Sequence, residues 1–114
     1  MDSVAIVGAG KIGSMIAELL VSSRDYAVTV VDRSQRQLDR LETAAAVTKV
    51  AADIANRDAL QKILAGKYAV LSAAPYQSTR LIAEAAKAAG AHYLDLTEDV
   101  ASTRVVKQLS LIHI

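Results

Sequence analysis

The sequence predicts an α/β fold in which a parallel, doubly wound sheet of strand order 3-2-1-4-5 lies between two helical layers. Three observations predict it. Short apolar runs rich in Val, Ile and Ala alternate with helix-period segments along nearly the whole chain. The connections between them are short, as parallel strands joined by covering helices require. The first run leads into Gly8, Gly10 and Gly13 at G-x-G-x-x-G spacing, and the second ends in an acid, Asp32, nineteen residues beyond Gly13.

Each element has its own signal. Val4-Ala5-Ile6-Val7 is short, β-branched and bounded by Gly8, as a strand buried on both faces should be. Ile12, Met15, Ile16, Leu19 and Leu20 fall at helical spacing and predict one continuous buried face. Ala27 to Val31 forms the second strand, ending at Asp32. Ser34 to Ala45 is expected to be helical, opened by a capping box of Ser34 with Gln37 and burying Leu38 and Leu41. Ala46 to Ala52 reads as a third strand, with Lys49 facing outward near a sheet edge. Asn56 is placed to cap a short helix through Leu60, Ile63 and Leu64, which Gly66 ends. Tyr68 to Ala73 is the fourth strand, and Pro75, the only proline, follows in a loop or first helical turn. Leu81, Ile82, Ala85, Ala86 and Ala89 make the next helix face, closed by Gly90. His92 to Leu96 is the fifth strand, and Val100 to Gln108 can be helical.

A chain of 114 residues has room for one domain and a modest core. Its 53% hydrophobic content argues against disorder, and with no Phe or Trp it leaves almost no aromatic platform for stacking bases. A net charge of +1 with interspersed signs gives no footprint for nucleic acid or an anionic membrane. There is no Cys, which excludes disulfides and thiolate metal sites and fits a reducing compartment. Apolar runs fall short of the ~18 residues that span a bilayer, and no signal peptide precedes the first strand. A soluble cytoplasmic protein is the expectation.

In such a Rossmann-type sheet, ligands bind beyond the carboxyl ends of the strands, where strand order reverses. That nominates the segment Gly8, Ala9, Gly10, Lys11, Ile12 and Gly13 after the first strand. Gly8 allows the tight turn, Gly10 lets a pyrophosphate approach the backbone, and Gly13 brings the helix close to the strand. The first helical turn then presents its N–H groups to the pyrophosphate. Asp32 is placed to accept hydrogen bonds from the ribose hydroxyls, which favours NAD over a 2′-phosphorylated cofactor. Arg33 beside it could pair with that phosphate, so NADP is not excluded. Arg33 lies against the adenine or is a solvated helix-start residue. Asp53 bonds the adenine amino group, or is a turn residue or cap for the next helix, with Ile54 beside it. Ala73, Ala74 and Pro75 offer close backbone approach to a nicotinamide, or form an ordinary loop. Asp95 and Thr97 stand at the end of the fifth strand.

The polar residues assemble no catalytic site of their own. His92 starts a strand and reads as structural or solvent-exposed. Asp95, Glu98 and Asp99 lack accompanying His or Cys ligands, which argues against a metal site. Ser72, Ser78 and Thr79 lack the context of a nucleophile elbow.

Val4 to Gly13, Ser72-Ala73-Ala74-Pro75-Tyr76 and Ala91-His92-Tyr93-Leu94-Asp95-Leu96-Thr97-Glu98 together resemble the N-terminal cofactor domain of the saccharopine dehydrogenase-like family. That family includes saccharopine reductases, lysine dehydrogenases and carboxynorspermidine dehydrogenases. The resemblance implies NAD(P)-dependent hydride transfer between an imine and an amino-acid-derived amine. It also implies a second, C-terminal domain that holds most of the small-molecule substrate, and it leaves a homodimer of the full-length protein open. Residues 1–108 would then be the cofactor domain of a longer enzyme, inactive alone. A competing reading is a nucleotide-sensing regulatory domain of the potassium-transport type, which shares the glycine motif and terminal acid.

Leu109-Ser110-Leu111-Ile112-His113-Ile114 matches the translation of CTG TCT CTT ATA CAC ATC, which resembles a transposase adapter used in sequencing libraries. Residues 109–114 are therefore expected to be adapter read-through, the alternative being an apolar sixth strand.

Overall fold

The structure, a computed structural model, describes residues 2–41, 47–74 and 78–95. Among them, β1 (Asp2–Val7), β2 (Tyr26–Asp32), β3 (Val47–Ala51), β4 (Ala69–Ser72) and β5 (His92–Asp95) form one sheet. Its order is β3-β2-β1-β4-β5 and every pairing is parallel, as the strand–helix alternation predicts. The intervening helices are α1 (Lys11–Ser23), α2 (Gln35–Asp39), α3 (Arg57–Leu64) and α4 (Thr79–Ala89). The fifth strand is followed to Asp95, and the helix expected over Val100 to Gln108 lies outside the described residues, as does the tail 109–114.

Side chains that alternate along the strands divide into two cores, one on each face of the sheet. Val4, Ile6, Val28, Val30 and Leu71 pack against Ile16 and Leu20 of α1 and Leu38 of α2. Ala5, Val7, Val31 and Val70 pack against Leu60 and Leu64 of α3 and Ile82 and Ala86 of α4. Burial on both sides explains why β1 and β4 read as unbroken apolar runs rather than alternating ones.

The face of α1 that turns inward takes in only part of the stripe its large apolar residues mark. Gly13, Ile16, Ala17 and Leu20 are buried, while Met15 and Leu19 are 53% and 50% exposed. Backbone proximity decides this. A Cβ on Gly13 would run into the Gly8 carbonyl oxygen, so α1 must turn its smallest residues toward β1. That rotation carries Met15 and Leu19 outward, and Ile12 is left half-buried at the boundary.

Helix α2 is shorter than the expected span, with Arg40 as its C-cap; residues 42–46 lie outside the described residues. Ser34 Oγ accepts from the Gln37 N–H at 3.3 Å, which is one half of the expected capping box. The other half is replaced, because the Ser34 N–H donates to Asp32 Oδ1 at 2.8 Å. Asn56 caps α3 as expected, accepting from the Ala59 N–H at 3.1 Å. Gly90 closes α4 in a left-handed conformation at φ +75°. His92 is exposed and lies edge-on to Tyr68 with ring centroids 5.0 Å apart, a structural arrangement at the start of β5. No helix among the described residues is long and apolar enough to cross a membrane.

The rotated face of α1 predicts unequal mutational costs. Ile16→Ala should lower unfolding free energy by about 2–5 kcal/mol, whereas Leu19→Gln should change it by no more than about 0.5 kcal/mol. Urea denaturation of the two variants checks this; equal losses would contradict the helix orientation.

Candidate functional site

Three strand ends meet at Gly8 and Ala9. The Gly8 N–H donates to the Val31 carbonyl of β2 at 2.7 Å, and the Ala73 N–H beyond β4 donates to the Val7 carbonyl at 2.8 Å. Gly8 takes φ +109°, a conformation that side chains rarely adopt. A Cβ there would sit 2.8 Å from the Ala73 carbonyl carbon and oxygen and 2.9 Å from the Ala74 nitrogen. So Gly8 answers two demands together: the turn out of β1 and the passage beside the β4 exit.

Gly10 differs from both other glycines. It is the N-cap of α1, it is exposed, and a Cβ built on it would meet nothing within 4 Å. The space over the loop is therefore open on the side where the helix begins. The first N–H groups of a helix have no intrahelical partner. At α1 no side chain caps them and no acid occupies the first turn. Together these make an open backbone surface with positive potential, suited to an anionic group. Lys11, exposed at the first helical position, adds a cation at its rim.

Asp32 organises the loop from β2. Its Oδ2 accepts from the Ala9 N–H at 2.8 Å while its Oδ1 accepts from the Ser34 N–H. One carboxylate thus joins the glycine loop to the start of α2. Ala9 is itself buried, at 3% exposure, so without Asp32 its N–H would have lost both solvent and partner. Each carboxylate oxygen keeps a second lone pair for a further donor. The position expected to meet a ribose is therefore also a clamp on the loop, a role that residue spacing alone does not reveal.

The other nominated residues are spread along the same edge of the sheet. Arg33 is exposed beside Asp32. Asp53 is exposed and closes its own turn, with Oδ1 accepting from the Ala55 N–H at 2.9 Å and its carbonyl from the Asn56 N–H at 2.9 Å. Ile54 packs partly buried against the α3/α4 core. Ala73 and Ala74 flank Gly8, one against each core. Asp95 ends β5, in register with Ser72. Pro75 and Thr97 lie outside the described residues. No group of His, Cys, Asp and Glu among the described residues could hold a metal ion.

Ser72 and Thr79, weighed from the sequence only as nucleophiles, group with the Tyr93 phenol at the β4 and β5 ends, an arrangement the sequence does not reveal. Ser72 is fully buried, and among the described residues neither its Oγ nor the buried Oγ1 of Thr79 has a hydrogen-bond partner. The Tyr93 phenol makes a long 3.5 Å hydrogen bond to the Thr79 carbonyl. Burial raises the phenol above its ordinary value of 10.0; the nearby Ser72 hydroxyl opposes this, Asp95 adds to it, and Thr79 opposes it. The Ser72 hydroxyl is thus a neighbour of the phenol. Period-two alternation along β4 and β5 was the available signal, since it places Ser72 and Tyr93 on the α3/α4 face.

The family described as "Saccharopine dehydrogenase NADP binding domain" matches residues 4–110. No curated protein matches the chain. Among solved structures, apo saccharopine dehydrogenase (L-Glu forming) from Saccharomyces cerevisiae superposes with a TM-score of 0.77 at 20% identity, over 90% of this chain and 24% of its own. A short-chain dehydrogenase/reductase from Veillonella parvula in complex with NADP gives 0.67 at 17% identity, over 90% of this chain and 50% of its own. The Bordetella bronchiseptica enzyme WbmG in complex with NAD gives 0.66 at 18%, over 82% and 36%. At these identities the likeness establishes the fold, and the chain spans about a quarter of the yeast enzyme's length.

Two substitutions separate the roles of the loop. Gly8→Ala should cost about 2–4 kcal/mol through its strained φ and the collision with Ala73. Gly10→Ala should cost no more than about 1 kcal/mol, since the added methyl meets open space. Chemical denaturation distinguishes them, and a neutral Gly8→Ala would contradict the close approach.

Proposed function

The chain belongs to the saccharopine dehydrogenase NADP-binding domain family, and we propose that it holds the cofactor of a larger enzyme that transfers hydride at a C–N bond of an amino-acid-derived amine or imine. The single observation that carries the binding role is the open backbone surface at Gly10, next to an uncapped α1 and held in shape by Asp32. Gly8 to Gly13 would hold the pyrophosphate, Asp32 the ribose next to the adenine, and Ala73 and Ala74 the wall toward the nicotinamide. When bound, the cofactor supplies the two-electron acceptor or donor that the reaction needs. The chain's own residues bind and orient it.

The substrate side is proposed to come from a further domain, because the titratable groups beside the glycine loop, Lys11 and Asp32, are assigned to the cofactor. This agrees with the small share of the yeast enzyme that the chain covers. It also makes the isolated domain a binder without turnover. The C–N assignment rests on family membership and is tested with the full-length protein. Turnover with an amino-acid-derived amine and a nicotinamide cofactor supports it; tight nucleotide binding with no turnover favours a sensor.

For cofactor choice, a carboxylate at Asp32 repels a 2′-phosphate and accepts from free ribose hydroxyls, so we propose NAD. Arg33, exposed at the next position, is the side chain that could pair with a 2′-phosphate. In a fluorescence titration of this chain, NADH should bind more tightly than NADPH, and the reverse order would overturn the NAD assignment. Gly10→Val should weaken NADH by about tenfold or more by filling the open surface, with little change in melting temperature.

A further inference from the structure

We infer that the Ser72 and Thr79 hydroxyls, at the end of β4 and the head of α4, receive the carboxamide of the cofactor's nicotinamide. The inference deepens the cofactor-binding reading above and rests on it. A buried hydroxyl with no partner costs about 1–3 kcal/mol, and native structures keep few of them. Here two stand together, Ser72 Oγ at 0% residue exposure and Thr79 Oγ1, with the Tyr93 phenol beside them.

Their setting points to a ligand rather than to solvent. Among the described residues, the head of α4 has no side-chain cap from Ser78 and no acid in its first turn, and its leading N–H groups have no intrahelical partner. Ser72 directly precedes Ala73, whose backbone touches the Gly8 position of the glycine loop. The pair therefore lies one residue behind the wall proposed for the nicotinamide.

Chemistry selects the group. Hydroxyls both donate and accept, and helix-head N–H groups donate, so the set suits a carbonyl and an NH2 held together. The nearest cation on α4, Arg80, is exposed and joined to Glu84 at 3.2 Å. A neutral amide fits such a set better than a phosphate, which favours a facing Arg or Lys.

The test compares NAD with ADP-ribose, which lacks the nicotinamide, by isothermal titration calorimetry on this chain and on Ser72→Ala/Thr79→Val. The native chain should bind NAD more tightly than ADP-ribose. The double variant should keep its ADP-ribose affinity within about twofold and lose about tenfold for NAD. An unchanged ratio of the two affinities, with ADP-ribose still bound, overturns the hydroxyl assignment and leaves the glycine-loop reading intact. Failure of the native chain to bind ADP-ribose overturns both. If the double variant melts early, Thr79→Val alone carries the same comparison at a half-buried position, and its ratio should fall about threefold; no fall overturns the assignment.

Discussion

Where β1 ends, the backbone must turn into α1 while passing in contact with the Ala73–Ala74 peptide of the neighbouring strand exit. Gly8 does this at φ +109° with no room for a Cβ, and the rest of the site follows from that crowding. The same close approach requires Gly13 to face the Gly8 carbonyl, which sets the rotation of α1. The rotation directs the open end of the helix and leaves Gly10 facing empty space. Asp32 then fixes the remaining freedom of the loop by holding the Ala9 N–H from β2. The anion-receptive surface is thus built before any ligand arrives, which spares binding the cost of ordering the loop.

The fold was legible because its signals are local and agree with one another. Strands buried on both faces, a glycine turn, Asn56 capping α3 and Gly90 closing α4 each speak for one segment, and together they admit one topology. What stayed hidden depends on distances between segments. Met15 and Leu19 fit the helical stripe as well as Ile16 does, and only the Gly13–Gly8 contact decides which residues turn inward. The capping box at Ser34 was half right because Asp32, two residues earlier, takes the Ser34 N–H. Spacing nominates Asp32 for a ribose, but its clamp on Ala9 spans twenty-three residues and leaves no trace in spacing. Ser72 carries no sequence signal as an orphaned hydroxyl, since its condition is a missing partner.

The Asp32 clamp has a consequence for how cofactor preference is encoded. A residue that only met the ribose could be exchanged to admit a 2′-phosphate at the expense of one contact. Asp32 also satisfies a buried N–H of the glycine loop, so its replacement alters the loop along with the proposed ribose contact. With the cofactor placed as proposed, preference and loop shape are coupled through one carboxylate. In a family whose description carries NADP, that coupling gives Arg33, which has no such second duty among the described residues, the freer position for change.

The most direct measurement is an NMR titration of the isotopically labelled chain with NADH, following backbone amides. The account predicts the largest shifts at Ala9 to Gly13 and at Asp32 and Arg33, with β3 and the outer face of α1 undisturbed. Shifts centred elsewhere, or none at concentrations that saturate related dehydrogenases, would contradict a dinucleotide site at the glycine loop.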